Sequence, residues 1–337
     1  MEKNNFKLVT NSKIYETLLV SFPIWIPIIY ITILNIFPSS GLLLVYFTFF
    51  IFGEIHFGIT WLFLFDKKNI EFIKQNRFYS ITIPILLVLF FTICWFFISE
   101  MLAFFLSTLF NIFHVTRQSV GITKIYKSKN MIGEIGTYLV YLNSFLCLFY
   151  GFCKFIMIKD NLFLLNIVFY SVLSILILTL LFCIFISLRK INDSNFSLSV
   201  LTGSLLYAPF LLDNINAIHA GAIGIGMHYI QYITFQTIIY SKKKDLNQNE
   251  NLGFFEKIAN KSSYFIIYLI FYIIVMGGLL YLGRDLTQAN EGFFDSGFNY
   301  LFFLPFIMHN LHFYADMFMW RFSNPHIREN VGKFLFG

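Results

Sequence analysis

Residues 162–188 read LFLLNIVFYSVLSILILTLLFCIFISL, an apolar run without a single charged residue. The hydrocarbon core of a bilayer is about 30 Å thick, and a helix of roughly 20 apolar residues crosses it. The run is longer than that and therefore predicts a membrane-spanning helix. It is also continuously apolar, whereas the strands of a membrane β-barrel alternate apolar and polar residues, so a barrel is disfavoured.

The remainder of the chain repeats this pattern. Of the 337 residues, 58% are hydrophobic and only 12% are charged, which is about half the charged share of a soluble domain. This composition excludes a soluble enzyme and a disordered chain, and four cysteines are too few for a disulfide scaffold. We therefore expect an all-α polytopic integral membrane helix bundle in which residues 1–337 form a single membrane domain. The ten predicted transmembrane helices are 17–37, 41–65, 78–98, 101–123, 134–153, 162–188, 196–212, 216–240, 263–283 and 298–320.

The positive charges divide unequally between the two ends of these segments. Of the 24 Lys and Arg residues, 20 lie in the termini and in alternate loops on one side, three lie on the other side, and Arg117 lies within a helix. The positive-inside rule then places both termini in the cytoplasm, with residues 1–16 and 321–337 as cytoplasmic segments. We expect a bacterial inner membrane. The loop cations account for the net charge of +6, so no nucleic-acid partner is predicted.

Five of the seven histidines lie at one depth in four different predicted helices. At 1.5 Å per residue they are roughly 14–21 Å from the inner boundary, which is near the middle of the membrane. His219 lies well outside this layer and about 180° from His228 on its helix, so no role is assigned to it. His326 lies in the tail. The five histidines of the layer are His56, His114, His228, His309 and His312.

Other polar residues share helix faces with these histidines. His309, His312 and Asp316 follow the spacing i, i+3, i+7, which places them within about 60° on one face of the last helix. The spacing i, i+3, i+4 likewise places three polar residues on one face in each of two further helices. These two sets are His114 with Arg117 and Gln118, and His228 with Gln231 and Tyr232.

A metal site explains this layer best. An ionisable residue at mid-membrane costs about 2.5–3.5 kcal/mol on insertion scales, and such residues face the protein interior and pair with one another. Neutral imidazole is the commonest metal ligand, and a carboxylate beside it completes a set of nitrogen and oxygen donors that suits iron. We therefore expect non-haem iron, most simply Fe²⁺, as one or two ions. The candidate ligands are His56, His114, His228, His309, His312 and Asp316.

Each polar group also has a structural interpretation, in which the buried histidines only hydrogen-bond neighbouring helices. Glu54 lies about 200° from His56 around the helix, so we expect it to pair with a cation such as Arg117 or to orient a metal ligand through a hydrogen bond. Small residues at 220–226 predict close helix packing or, alternatively, space for a substrate beside His228. The residues expected to tune the metal or hold a polar group of the substrate are Arg117, Gln118, Gln231 and Tyr232.

Several short motifs carry a resemblance to a known family. His56 lies in IHFG, residues 207–209 read YAP, and a final-helix histidine precedes Asp316. In this order the motifs resemble the Brp/Blh family, which comprises bacterial integral-membrane β-carotene 15,15′-dioxygenases. The resemblance implies a non-haem iron that cleaves a polyene with O₂, held by His56, His228 and one of His309 and His312.

The chain also departs from that family. The family's Pro-His-Gly motif of the first helix is missing, and no second histidine matches the family's pair around His228. The resemblance therefore does not specify carotene. We predict a membrane-embedded iron enzyme, an O₂-dependent oxygenase or related redox enzyme, whose partners are the lipid bilayer and a lipophilic, isoprenoid-like substrate. The alternatives are a proton-coupled transporter that uses the same polar layer and a haem or quinone electron carrier.

Overall fold

The computed structural model describes residues 13–126, 131–157, 161–189, 194–246, 253–283, 299–319, 321, 324–332 and 334. Throughout these residues the chain is all-α, as the sequence predicts. The α-helices are α1 Lys13–Ile36, α2 Gly41–Tyr46, α3 Glu54–Leu64, α4 Lys67–Gln75, α5 Ile83–Ile93, α6 Glu100–Tyr126, α7 Met131–Phe152, α8 Leu162–Arg189, α9 Ser194–Ser204, α10 Ala217–Leu246, α11 Phe254–Asn260, α12 Ser262–Tyr272, α13 Gly278–Gly283, α14 Tyr300–Met319 and α15 Pro325–Ile327.

Wider or tighter helical turns extend or join several of these helices. The stretch Phe47–Gly53 is π-helical and joins α2 to α3, directly before Glu54 and His56. Such π segments change the angular register of the residues that follow and occur frequently near functional sites. The other π segments are Phe78–Thr82, Cys94–Ile98, Cys153–Met157, Ile273–Gly277 and Arg328–Gly332, and short 3₁₀ turns occupy Pro38–Ser40 and Ala208–Leu211.

All ten predicted segments fall on helical structure, but not all of them are equally suited to cross a membrane. Among the described residues, six helical stretches are both long and apolar enough. This agrees with an integral membrane protein, while the count of ten spans and the cytoplasmic termini stay predictions. The six stretches are Leu19–Ile36, Pro38–Leu64, Phe78–Ile98, Met131–Phe155, Leu162–Arg189 and Ser262–Gly283.

The other four segments differ from these six for identifiable reasons. Helices α6, α10 and α14 have 27, 30 and 20 residues, so each is long enough to span. They are less apolar because they carry the predicted histidines and their polar neighbours. The predicted segment 196–212 is interrupted instead, since α9 has only 11 residues and is followed by a 3₁₀ turn.

The helices that carry the histidine layer are neighbours. Helix α3 packs against α10, α12 and α14, and α6 packs against α10 and α14. On the outer faces of the bundle, large apolar side chains are exposed, including Phe163, Leu178 and Leu188 on α8. Polar residues therefore lie inside the bundle and apolar residues outside, which is the arrangement that a lipid environment favours.

Two small residues of α10 serve close packing. A Cβ atom at Gly224 would lie 3.0 Å from the backbone oxygen of Leu206, and one at Gly226 would lie 3.0 Å from the Thr48 side chain. At Gly221, in contrast, a Cβ atom would have nothing within 4 Å. The small residues at 220–226 were predicted to serve either close helix packing or substrate space. The structure shows close packing at Gly224 and Gly226.

This difference leads to opposite expectations for two alanine substitutions. Gly224→Ala should lower the free energy of unfolding by about 1–3 kcal/mol, because a backbone oxygen must move to admit the methyl group. Gly221→Ala should leave it unchanged or raise it by up to about 1 kcal/mol, since alanine favours the helix and meets no obstacle. Thermal unfolding of both variants in one detergent measures the difference. Equal shifts for the two variants would contradict the close contact at Gly224.

A buried ion pair lies at the end of the bundle where α3 meets α4. The Asp66 carboxylate accepts a hydrogen bond from the Asn69 backbone N–H at 2.7 Å and forms a buried ion pair with Lys243. His326 of α15 lies 3.0 Å from the Asn69 side chain through Nε2 and stacks on Phe72. Partial burial lowers the pKa of His326. The last described segment therefore packs over this end of the bundle.

Candidate metal centre

Three histidines and one aspartate meet in the interior, where three helices converge. His56 comes from α3, His114 from α6, and His312 and Asp316 from α14. One ligand atom of each lies within 4.8 Å of the corresponding atoms of the others. All four residues are buried, with exposed fractions of 0 to 3%. We call these four residues the His₃Asp cluster.

The distances within the cluster are compatible with ligands around a common centre. His312 Nε2 and His114 Nε2 lie 3.6 Å and 3.8 Å from Asp316 Oδ2. The ring centroids of His56 and His312 are 4.6 Å apart, and those of His114 and His312 are 5.1 Å apart. The spacing i, i+4 places His312 and Asp316 on the same side of α14, one turn apart, as the sequence pattern implies.

Comparisons with protein-family models, with curated proteins and with solved structures found no match for this chain. The resemblance to the Brp/Blh family stays a prediction. The chemistry of the site therefore has to be argued from its own atoms.

The imidazole nitrogens of the cluster have almost no protein partners. Both ring nitrogens of His56 and of His312, together with Nε2 of His114, are buried without a hydrogen-bond partner among the described residues. A buried polar atom left in this state costs about 1–3 kcal/mol, and five such atoms lie in this one small volume. A bound cation would satisfy several of them at once, so the donors present fit a metal ion well.

His228 lies beside the cluster. Its ring centroid is 5.0 Å from that of His56 and 5.5 Å from that of His114, and its Nε2 is buried without a described partner. It is not one of the four residues whose ligand atoms all lie within 4.8 Å. His228 therefore lies beside His56 and His114 without belonging to the His₃Asp cluster.

His309, in contrast, takes part in a different interaction. Its Nε2 lies 2.9 Å from Glu54 Oε1, and its ring stacks on Phe57 with centroids 4.0 Å apart. Glu54 is fully buried, and its Oε2 has no described partner. The partner of Glu54 is thus His309, where the sequence suggested a cation such as Arg117. His309 lies behind Phe57 and outside the His₃Asp cluster.

The four residues predicted to support the ligands occupy different places. Gln118 donates a hydrogen bond from Nε2 to Asp316 Oδ2. The ring of Tyr232 lies 4.6 Å from that of His56. The Gln231 amide points to the Leu19 backbone oxygen at 3.4 Å, toward α1. Arg117 is partly buried on α6.

Three aromatic side chains that sequence reasoning missed also line the cluster. Phe57 contacts the His312 ring at 4.6 Å, Phe313 contacts His114 at 5.0 Å, and Tyr229 contacts His56 at 5.1 Å. The available signal was adjacency, because each follows a candidate histidine in the chain. With so many aromatic residues in the sequence, that signal has little power. These rings give the cluster an apolar wall.

His219 belongs to another part of the bundle. Its Nδ1 lies 2.8 Å from the Tyr30 hydroxyl, and Asn216 accepts a hydrogen bond from its backbone N–H. The ring is therefore already engaged by α1. Its placement agrees with the angular argument that left it without a role.

Proposed function

We propose that this chain is a membrane-embedded enzyme that holds non-haem iron in the His₃Asp cluster and uses O₂ to oxidise a lipophilic substrate. The observation that carries the proposal is the convergence of buried, unpartnered imidazole nitrogens and a carboxylate within 4.8 Å. Imidazole and carboxylate donors with no thiolate favour iron, and ligand sets of this kind serve non-haem oxygenases. The four cysteines are buried and free, and none belongs to this donor group.

The residues of the cluster have separable roles in this proposal. His56, His114, His312 and Asp316 would hold the ion, which would supply the redox chemistry for O₂. Gln118 fixes the orientation of the Asp316 carboxylate. The aromatic wall excludes bulk water and offers an apolar surface to the substrate. Iron identity, the oxygenase reaction and an isoprenoid-like substrate are all parts of the proposal.

Metal analysis of the purified full-length protein tests this proposal directly. Gentle purification without chelators should yield iron at about one ion per chain, or two if His228 and the Glu54–His309 pair hold a second ion. The optical spectrum of the same sample should contain no Soret band, which distinguishes non-haem iron from a haem carrier. A preparation that contains no metal and takes up none on addition of Fe²⁺ would exclude the proposal. Stoichiometric zinc would retain the site and exclude the redox chemistry.

The hydrogen bond from Gln118 makes a second measurable difference. Gln118→Ala should weaken metal binding by about 10–100-fold, because residues that orient a ligating carboxylate typically have effects of this size. Titration of the metal-free protein with Co²⁺, followed by visible absorption, measures the dissociation constant. Asn143→Ala is a matched control, since it removes a buried amide that contacts Thr179 far from the cluster. Equal affinities for the two variants would remove Gln118 from the site.

One observation favours the proton-coupled transporter as the second candidate. The fully buried Glu54 pairs with the partly buried His309 next to the cluster, and acid–base pairs of this kind occur on proton pathways in membrane carriers. Proteoliposomes distinguish the two candidates. Proton flux that depends on Glu54 and persists in metal-free protein would favour the transporter, whereas absence of flux together with bound iron favours the enzyme.

A further inference from the structure

A line of polar side chains with buried polar atoms runs between α3 and α10, away from the His₃Asp cluster. Its members are Thr60 on α3 and Gln236 and Tyr240 on α10, and we call these three residues the polar file. At one end, the ring of Tyr232 lies against His56 at 4.6 Å. At the other end lies the buried ion pair between Asp66 and Lys243. The path between the two ends is about 15 Å long, since ten residues of helix rise by that amount.

The spacing of these residues shows why they form a line. On α10, positions 232, 236, 240 and 243 follow i, i+4, i+8 and i+11, which is one face of a helix. On α3, positions 56 and 60 follow i, i+4, and Asp66 comes just after the helix ends. Thr60 contacts Gln236 while His56 contacts Tyr232, so the two helices run in the same direction with these faces together.

The part of the file nearest the cluster is hydrogen-bonded directly. Gln236 Nε2 donates to Thr60 Oγ1 at 3.0 Å, and Thr60 Oγ1 donates to the His56 backbone oxygen at 3.1 Å. Both side chains are almost completely buried, with exposed fractions of 1%. This segment of the file therefore ends at the backbone oxygen of His56. The step from there to the imidazole rings needs ordered water, because a carbonyl oxygen only accepts hydrogen bonds.

The remaining part contains polar atoms without protein partners. Gln236 Oε1 and Tyr240 Oη are buried and have no hydrogen-bond partner among the described residues. Positions 236 and 240 are four residues apart on α10, which corresponds to a rise of about 6 Å along the helix. One or two water molecules can bridge a gap of that size with ordinary hydrogen bonds. Buried polar groups of this kind are normally satisfied by ordered water when two or more of them face the same space.

The surroundings of the file are apolar, which distinguishes it from a generally polar interface. The Phe63 ring lies 5.6 Å from the Tyr240 ring, and Lys243 Nζ lies 5.7 Å from the Phe63 centroid. Ile239 and Phe235 are buried on the neighbouring face of α10. Four consecutive turns of α10 nevertheless present a polar side chain to α3. A connected path explains that regularity, whereas independent structural hydrogen bonds do not require it.

We propose that ordered water completes the polar file and that the file conducts water and protons between the Asp66–Lys243 pair and the His₃Asp cluster. A buried metal site needs such a path because histidines and carboxylates must lose their protons to bind a cation. In an apolar interior those protons have to leave along hydrogen-bonded groups. The existence of the path is independent of any bound ion, whereas its service to an iron centre rests on the proposed function.

Exchange of the carbon-bound hydrogen at C2 of each imidazole tests the path in metal-free protein. This hydrogen exchanges with deuterium from D₂O only where water reaches the ring, and mass spectrometry of peptides follows it for each histidine. The full-length protein in detergent is treated with a chelator and transferred to D₂O. We expect His56 and His312 to exchange measurably, and the partly exposed His326 serves as a reference within every sample.

The variants Gln236→Leu and Tyr240→Phe should slow exchange at His56 and His312 at least threefold and leave His326 unchanged. Asn143→Leu is the matched control for Gln236→Leu, because Asn143 donates to Thr179, which in turn donates to a backbone oxygen one turn before it, as Thr60 does. Tyr240→Phe removes a single oxygen atom and preserves the packing of the ring.

Two results would overturn the path. The first is a dry cluster, in which the wild-type His56 and His312 do not exchange while His326 exchanges completely. The second is exchange at the wild-type rate in both file variants, which would place the water route elsewhere. Because the samples contain no metal, neither result depends on iron binding, and a failure of the iron proposal would leave this measurement unaffected.

Discussion

Replacing His312 with alanine should release the metal from the purified protein. His312 is fully buried, its Nε2 lies 3.6 Å from Asp316 Oδ2, and its ring contacts those of His56 and His114. It therefore occupies the middle of the His₃Asp cluster. Removal of a ligand should weaken binding by more than the 10–100-fold expected for a residue that only orients one. Elemental analysis should find the iron content reduced from about one per chain to almost none.

The control for this variant is another histidine of the same chain. His219→Ala removes a partly buried ring that contacts Tyr30 on a different side of α10, so its iron content should equal that of the wild type. His312→Gln, which preserves more of the volume, should lose iron as His312→Ala does if both variants remain folded. An iron content equal to that of the wild type in the two His312 variants would show that the ion binds elsewhere.

Lys243→Met should lower the free energy of unfolding by about 3–5 kcal/mol, because it leaves the Asp66 carboxylate buried without its cation. Both side chains are buried, with exposed fractions of 2% for Asp66 and 6% for Lys243. Among the described residues, the Asp66 carboxylate would keep the hydrogen bond from the Asn69 backbone N–H. Thermal unfolding in detergent, followed by circular dichroism, should show the largest loss of stability among the single variants outside the cluster.

A double variant and an exposed ion pair provide the controls. Asp66→Asn combined with Lys243→Met should cost less than the sum of the two single changes, because the second change removes the unpaired charge that the first creates. Lys154 pairs with Asp213 at 3.1 Å, but Asp213 is 91% exposed. Lys154→Met should therefore change stability by no more than about 1 kcal/mol. Equal losses for Lys243→Met and Lys154→Met would show that burial does not matter here.

Much of the helical structure could be predicted from the sequence. Long uncharged runs specify helices in a lipid environment, and all ten predicted segments lie on helical structure within the described residues. The depth argument also placed candidate histidines from four helices in one layer, because helix rise per residue is constant. The division of segment 196–212 into α9 and a 3₁₀ turn was not predicted. The segment is short and rich in serine, which makes it the weakest of the ten, but neither Ser204 nor Gly203 marks the end of the helix by itself.

The residues that form the site could not be identified from their sequence spacing alone. His309 and His312 differ by three positions and point about 60° apart, and both satisfied the pattern equally well. In the structure His312 joins His56, His114 and Asp316, whereas His309 turns toward Glu54 behind Phe57. Gln118 and Gln231 were predicted for the same role, yet one contacts Asp316 and the other the backbone of Leu19.

The sequence by itself determined the helical class and the apolar exterior, because these depend on local composition. It also predicted a common depth for the histidines, because the rise per residue of a helix is constant. Only the tertiary structure decided which side chains meet. That choice depends on how α3, α6, α10 and α14 are rotated and packed against one another, and a rotation of a few tens of degrees would exchange His312 for His309. Contacts between helices are non-local and cannot be read from the periodicity of any one of them.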